Sequence, residues 1–148
     1  MASTWRNAIE ADDAALIQLC GALNEEDPGP QPVPATHMVT TLRTFREEPV
    51  RGKAVVLEVD GAVVGYALLV SFWSNELGGE VCTVDELYVA PSYRSSGHGT
   101  VLFDELPRLW GRPYAAVGLE TMPTNERARA FYRRIGFEGD NVAMVRRR

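Results

Sequence analysis

The chain has little of what usually names a chemistry at sight. Its two cysteines, Cys20 and Cys82, lack CxxC spacing, so neither a disulfide framework nor a zinc site is indicated. Its two histidines, His37 and His98, share no metal-ligand spacing, and no metal is expected. Of 15 basic residues only Lys53 is lysine, so a P-loop, which requires GxxxxGK[ST], is excluded. No apolar run approaches the ~20 residues needed to span a bilayer. Met1 to Glu10 has no apolar core of the kind a secretory signal carries. A cytoplasmic protein with no membrane partner is expected.

What is present is one domain's worth of chain: 148 residues, 45% hydrophobic and 24% charged. The charge is unevenly spread. Residues 1–90 hold 14 acidic and 5 basic side chains, a net of −9, while residues 91–148 hold 6 and 10, a net of +4. An acidic chain is a poor nucleic-acid binder, and no nucleic-acid partner is expected. The basic half can still hold a small anion.

Patterning predicts the elements. Trp5 to Ile9 reads as a strand, and Asp12 as the cap of a helix over 13–23. Pro28, Pro30, Pro32 and Pro34 then forbid helix and ladder alike. This segment is a connector or one wall of a pocket. A second helix is expected over 35–47, capped near Thr36. Strands over 53–59 and 62–73 flank the hairpin turn Asp60-Gly61, and a third strand over 80–89 completes an antiparallel meander. A helix over 97–110 carries Pro107, which predicts a kink or an early end. A strand over 114–120, a helix over 125–135 and a final strand region over 137–147 follow. The order βααβββαβαβ is a mixed α/β sheet flanked by helices.

Between the third meander strand and the next helix lies Arg94-Ser95-Ser96-Gly97-His98-Gly99-Thr100. Glycines let successive N–H groups turn into one concavity, and the helix start adds its positive dipole end, so the segment suits a pyrophosphate. A dinucleotide fingerprint would need glycine where Leu102 stands. Arg-x-x-Gly-x-Gly after Leu87-Tyr88-Val89-Ala90-Pro91 resembles the acetyl-CoA-binding motif of the GNAT superfamily of N-acetyltransferases. Asn125-x-x-Ala128-x-x-Phe131-Tyr132-x-x-x-Gly136-Phe137 resembles that superfamily's C-terminal signature. The motifs cover about residues 80–137, and the first 50 residues match in element order. Ser95, Ser96 and His98 depart from the basic, glycine or aliphatic residues many members carry there.

The resemblance implies a single acetyltransferase domain, with acceptor-side elements in about 1–79 and an acetyl-CoA-binding core in about 80–137. It implies acetyl-CoA held in a gap between strands 80–89 and 114–120. Backbone groups of Leu87, Tyr88 and Val89 would pair with the pantetheine, and the N–H groups of Arg94 to Thr100 would hold the pyrophosphate, with Arg94 adding a charge. An amine would attack the thioester directly. A strand N–H near Val89 is the expected oxyanion donor. Tyr132 resembles the tyrosine that protonates the leaving thiolate, and a phenol of pKa near ~10 is protonated at neutral pH. Asn125, Ala128 and Arg129 share its helix face by i, i+3 and i+4 spacing. Asn125 is expected to touch the cofactor or cap the helix, and Arg129 to reach the phosphates or stay solvated.

A base must take the proton of the attacking amine. Asp85 and Glu86 are adjacent carboxylates in an otherwise apolar strand, and alternation points them to opposite faces. Their pattern resembles the acidic pair of diamine acetyltransferases, which favours Asp85, with Glu86 close behind. Members of the superfamily often carry a bulge in this strand, which would blur that alternation. Cys82 as a nucleophile is the weaker reading. The acceptor pocket implied by the fold falls on the acidic half, where Glu25, Glu26, Asp27, Glu76, Glu80, Asp85 and Glu86 suit a cationic small-molecule amine. Trp73 and Tyr88 would pack on it. Transfer to a protein lysine or N-terminus, or a non-catalytic acyl-CoA sensor, are the alternatives. A homodimer is compatible with the resemblance.

Overall fold

The computed structural model describes residues 2–141 and 143–148. It divides into two compact units, one ending at Gly118 and the other running Leu119–Arg148. The first is a five-stranded sheet in sequence order, β1 Ser3–Asn7, β2 Gly52–Val59, β3 Ala62–Ser74, β4 Gly79–Val89 and β5 Ala116–Leu119. The first four strands are antiparallel neighbours. Asp60 (φ 48°) and Gly61 (φ 83°) make the tight turn between β2 and β3, with positive φ at both central positions as a right-twisted hairpin demands. Close approaches of β4 and β5 rise together, Gly79 against Ala115 and then Val81 and Thr83 against Gly118, so these two run parallel. The sheet is therefore mixed.

Register assigns the faces. Ala54, Val56, Tyr66, Leu68 and Tyr88 form one cluster with Leu16 and Cys20 of α1 (Asp13–Glu26) and Met38 and Leu42 of α2 (Ala35–Glu47). Residues of opposite parity, Val55, Leu57, Ala67 and Leu69, are buried on the other face, and Trp5 lies directly opposite Leu57. There the Trp5 Nε1 donates to the His98 carbonyl (2.8 Å) in α3 (His98–Asp104). Lys53, opposite Leu69, donates its Nζ to the Leu109 carbonyl (3.0 Å) in α4 (Leu106–Trp110). So α1 and α2 cover one face, α3 and α4 the other, which is a three-layer arrangement.

Several local expectations change. The helix expected over 97–110 breaks at Glu105 into α3 and α4, and Pro107 enters the first turn of α4, where its missing N–H costs nothing. Asp12 does not cap α1. Its carboxylate accepts from the Ile9 N–H (2.8 Å) and from both terminal nitrogens of Arg6, which hold it below the usual carboxylate range. Pro34, not Thr36, occupies the N-cap position of α2. The proline segment is exposed and irregular.

In the second unit α5 (Glu126–Arg134) is capped by Asn125, whose Oδ1 accepts from the Ala128 N–H (3.2 Å). The final strand expected over 137–147 is absent among the described residues, and Val142 lies outside them. Gly136 (φ 102°) and Gly139 (φ 117°) take the chain out of the extended region, and Met144 and Val145 are exposed. No helix of the described residues is long and apolar enough to cross a membrane.

Candidate active site

The centre of the site is a break in the β3–β4 ladder. Leu69 pairs with Val84 and Leu68 with Glu86, so Asp85 is an extra residue with no ladder partner. This is a β-bulge. Without it, Val84 and Glu86, two apart, would point to the same face. With it, Val84 is buried on the α3/α4 face while Glu86 turns toward α1. Asp85 is exposed.

The Glu86 Oε1 accepts from the Tyr66 hydroxyl at 2.7 Å and from the Cys20 Sγ at 3.7 Å. Asn24, one turn further along α1, donates to the same sulfur at 3.6 Å. Burial pushes the Glu86 carboxyl above its ordinary value. The Tyr66 hydrogen bond pulls it back, repulsion from Asp85 adds to the rise, and the thiol lowers it again. The Tyr66 phenol is raised, by burial first and then by Glu86, and burial raises the Cys20 thiol. The two adjacent carboxylates of the sequence thus separate into an exposed one and a half-buried one that accepts from Tyr66. Tyr66, Cys20 and Asn24 were not among the sequence-derived site residues. The only signal for Tyr66 was a phenol inside an apolar strand.

The end of β4 presents backbone. Ala90 donates its N–H to the Val64 carbonyl (2.9 Å), and the Tyr88 carbonyl also faces β3. By alternation the N–H groups of Leu87 and Val89 point away from β3. In the loop beyond, Ser95 (φ 64°) and Gly97 (φ 81°) are left-handed, which folds successive N–H groups inward. The first helical bond of α3 is from Val101 to the Gly97 carbonyl (3.1 Å), so the N–H groups of His98, Gly99 and Thr100 precede it. The side chains of Ser95, Ser96 and Thr100 are exposed, and His98 is buried.

Arg94 departs from expectation. Its guanidinium makes two bonds of 2.6 Å to Glu26 at the end of α1, and its Nε donates to the Val89 carbonyl (2.7 Å). It also stands over the Tyr88 ring, 5.3 Å from the centroid. The charge proposed for phosphate is therefore engaged with a carboxylate 68 residues away in sequence. The same pair removes Glu26 from the acidic wall, and the Arg112 Nε does so for Glu80 (2.8 Å). Tyr88 is buried beneath Arg94 and lies 6.5 Å from Tyr66, centroid to centroid, so its ring is not open to an acceptor. Trp73 is 68% exposed near the far end of β3, whereas Tyr88 lies near that of β4. The structure does not bring the two together. Burial pushes the Cys82 thiol up to about 12, which makes it a poor nucleophile.

In the second unit, Tyr132 packs edge-on to Phe137 (5.8 Å) and beside Phe131 (5.3 Å), and burial raises its phenol. Arg129 donates to Asp140 (3.0 Å), so its charge is engaged there. Among the described residues no cluster of three His, Cys, Asp or Glu could hold a metal ion.

The pattern of the acetyltransferase (GNAT) family matches residues 17–137. An uncharacterized N-acetyltransferase from Methanocaldococcus jannaschii is 37% identical over 93 residues, which is 59% of this chain and 39% of that relative's length. The structure of a possible acetyltransferase from Clostridium difficile 630 superposes with a TM-score of 0.82 over 100% of this chain and 98% of the other, at 19% identity. The aminoglycoside acetyltransferase AAC(6')-Iy, bound to a CoA bisubstrate analogue, gives 0.81 over 100% and 99%, at 18% identity. At such identities these two likenesses concern the fold.

Proposed function

The chain belongs to the acetyltransferase (GNAT) family, and from that premise we propose that it transfers an acetyl group from acetyl-CoA to a primary amine of a small cationic acceptor. The observation that carries the reading is the bulge-directed Glu86 carboxylate, half-buried, hydrogen-bonded and raised in pKa. A base works best when its pKa approaches the working pH, and burial moves Glu86 in that direction. We therefore assign the base to Glu86 rather than to Asp85.

In this mechanism acetyl-CoA is the co-substrate. The N–H of Leu87 pairs with its pantetheine arm, and those of Ser95 to Thr100 hold its pyrophosphate, so the anion is gripped by backbone rather than by Arg94 or Arg129. The acceptor's ammonium loses a proton to Glu86. The neutral nitrogen attacks the thioester carbonyl, and the resulting oxyanion takes a hydrogen bond from the N–H of Val89. The C–S bond then breaks as the nitrogen gives up its second proton to solvent, and the leaving thiolate takes a proton; the resemblance assigns that donor to Tyr132, whose phenolate is reprotonated from solvent. The raised phenol stays protonated for that step. Asn125 orders the start of the helix that carries it.

A cationic acceptor is supported by the surplus of acid in residues 1–90 and by the carboxylate that ends the site. With Glu26 and Glu80 paired to arginines, the attraction rests on Glu86 together with Glu25, Asp27 and Glu76. The likeness to an aminoglycoside acetyltransferase is compatible with this acceptor class. A panel of polyamines, aminoglycosides, basic amino acids and lysine peptides, assayed by thiol release from acetyl-CoA, tests it. Cationic small molecules should react fastest. Preference for neutral amines or for peptides overturns the acceptor class. Glu86→Gln should lower kcat/KM by about 10²–10⁴-fold. Tyr132→Phe should lower kcat while leaving the Kd for acetyl-CoA nearly unchanged. Full turnover in either variant removes that residue's role.

A further inference from the structure

Donors from two elements, β3 and α1, converge on one oxygen of Glu86. Tyr66 of β3 donates to Oε1 at 2.7 Å, Cys20 of α1 approaches the same oxygen at 3.7 Å, and Asn24 of α1 donates to the Cys20 sulfur at 3.6 Å. A thiol has one hydrogen and weak acceptor lone pairs. With Asn24 occupying a lone pair, the S–H is directed at Glu86. The spacing of Cys20 and Asn24, four residues on one helix, puts both on the same stripe of α1. Tyr66 is fully buried and its ring is fixed beside Tyr88, so its hydroxyl has little freedom to leave.

We infer that Tyr66 and Cys20, the latter oriented by Asn24, are positioning residues that fix the rotamer and the proton affinity of Glu86, leaving Oε2 as the oxygen that accepts the amine proton. This rests on the reading of Glu86 as the base. The groups that face this carboxylate are few. Asp85 comes from its own strand, Tyr66 from β3 and Cys20 from α1, while α2 packs the apolar Met38, Leu42 and Phe45 into the cluster. Burial and Asp85 favour the protonated acid, and the two donors favour the carboxylate. Removing a donor therefore moves the balance one way only, toward the acid.

Two measurements on the full chain test this. One is the pH profile of kcat/KM. The other is the carboxyl titration of Glu86 followed by ¹³C NMR, with Glu86→Gln as the assignment control. In Tyr66→Phe the midpoint should rise by about one unit in both, because a hydrogen bond to a charged group is lost. In Cys20→Ala it should rise by less, since a thiol is a weak donor. Cys20→Ser should restore it, and Asn24→Ala should behave like a milder Cys20→Ala. Midpoints unmoved in both Tyr66→Phe and Cys20→Ala overturn the inference, and they do so alone if Glu86→Gln has lost the acidic limb of the profile. A Glu86→Gln enzyme with full rate and an intact limb overturns the base reading, and this inference with it, whatever the NMR titration shows. Failure of Cys20→Ser to reverse Cys20→Ala assigns the sulfur to packing and removes Cys20 from the network.

Discussion

On the α3/α4 face the sheet meets Trp5, Leu102, Leu106, Leu109 and Trp110, all buried at 1% exposure or less. On the α1/α2 face it meets Leu16, Met38 and Leu42, but also Tyr66, Cys20 and the Glu86 carboxylate. The first face buries large apolar surface, and its Trp5 indole N–H braces α3 through the bond to the His98 carbonyl. The second accepts an ionisable group at partial burial and surrounds it with donors. A core that only had to be stable would not do this, because a half-buried carboxylate is held against its own desolvation. In the proposed mechanism one face carries stability and the other carries chemistry, and the bulge at Asp85 places Val84 on the former and Glu86 on the latter.

The comparison is broken most severely by deleting Asp85. Removing the extra residue forces β4 either to put Glu86 on the apolar face or to shift every later residue, Val89 included. No cooperative thermal transition should be seen by circular dichroism. A folded deletion variant with normal transfer would mean that the bulge does not set the faces.

Next in size is Trp5→Ala, which touches only the apolar face. It should cost about 3–5 kcal/mol of stability in urea unfolding, while the kcat of the folded enzyme stays near that of the parent. A matching fall in kcat would show that the two faces are not separable.

The smallest effect sharpens the contrast through pH. The folded-state pKa of Glu86 lies above its unfolded value, so the folded chain binds that proton more tightly. Its ionisation therefore lowers stability as pH rises through the shifted value. Glu86→Gln should equal or exceed the parent in stability at neutral pH, and the difference should vanish once the medium is acidic enough to protonate the carboxyl in both states. Asp12, held down by Arg6, has the opposite sign. Asp12→Asn should lose stability that the parent keeps above the ordinary carboxylate range, and the two should converge as pH falls through the depressed value. Unfolding curves at a series of pH values check both.

Much of this was legible in the sequence. Asp60-Gly61 with flanking β-branched runs placed the meander, Pro107 the break between α3 and α4, and the two motifs the family. The base was only half legible. Alternation separates Asp85 from Glu86, but choosing between them requires the bulge, and a bulge depends on how β3 pairs, which residues 79–89 alone do not encode. Arg94 read as a free cation because its partner, Glu26, is brought to it by α1 rather than by local sequence. Tyr66 is core by burial, and its hydroxyl reaches Glu86 only because the register sets it across from Tyr88, two residues from Glu86. The final strand failed for a related reason. An apolar run becomes a strand only when a neighbour completes its ladder, and the left-handed glycines at 136 and 139 interrupt the approach.

Lys53 closes the account from another side. The only lysine of the chain keeps its ammonium on the Leu109 carbonyl beneath the sheet. The proposed transfer to amines thereby leaves the chain a single side-chain amine of its own, and that one is recessed. Among its side-chain amines, self-modification is confined to that one residue. The intact mass of the protein after incubation with acetyl-CoA should accordingly rise by at most about two acetyl groups on amines, one for Lys53 and one for a free α-amine.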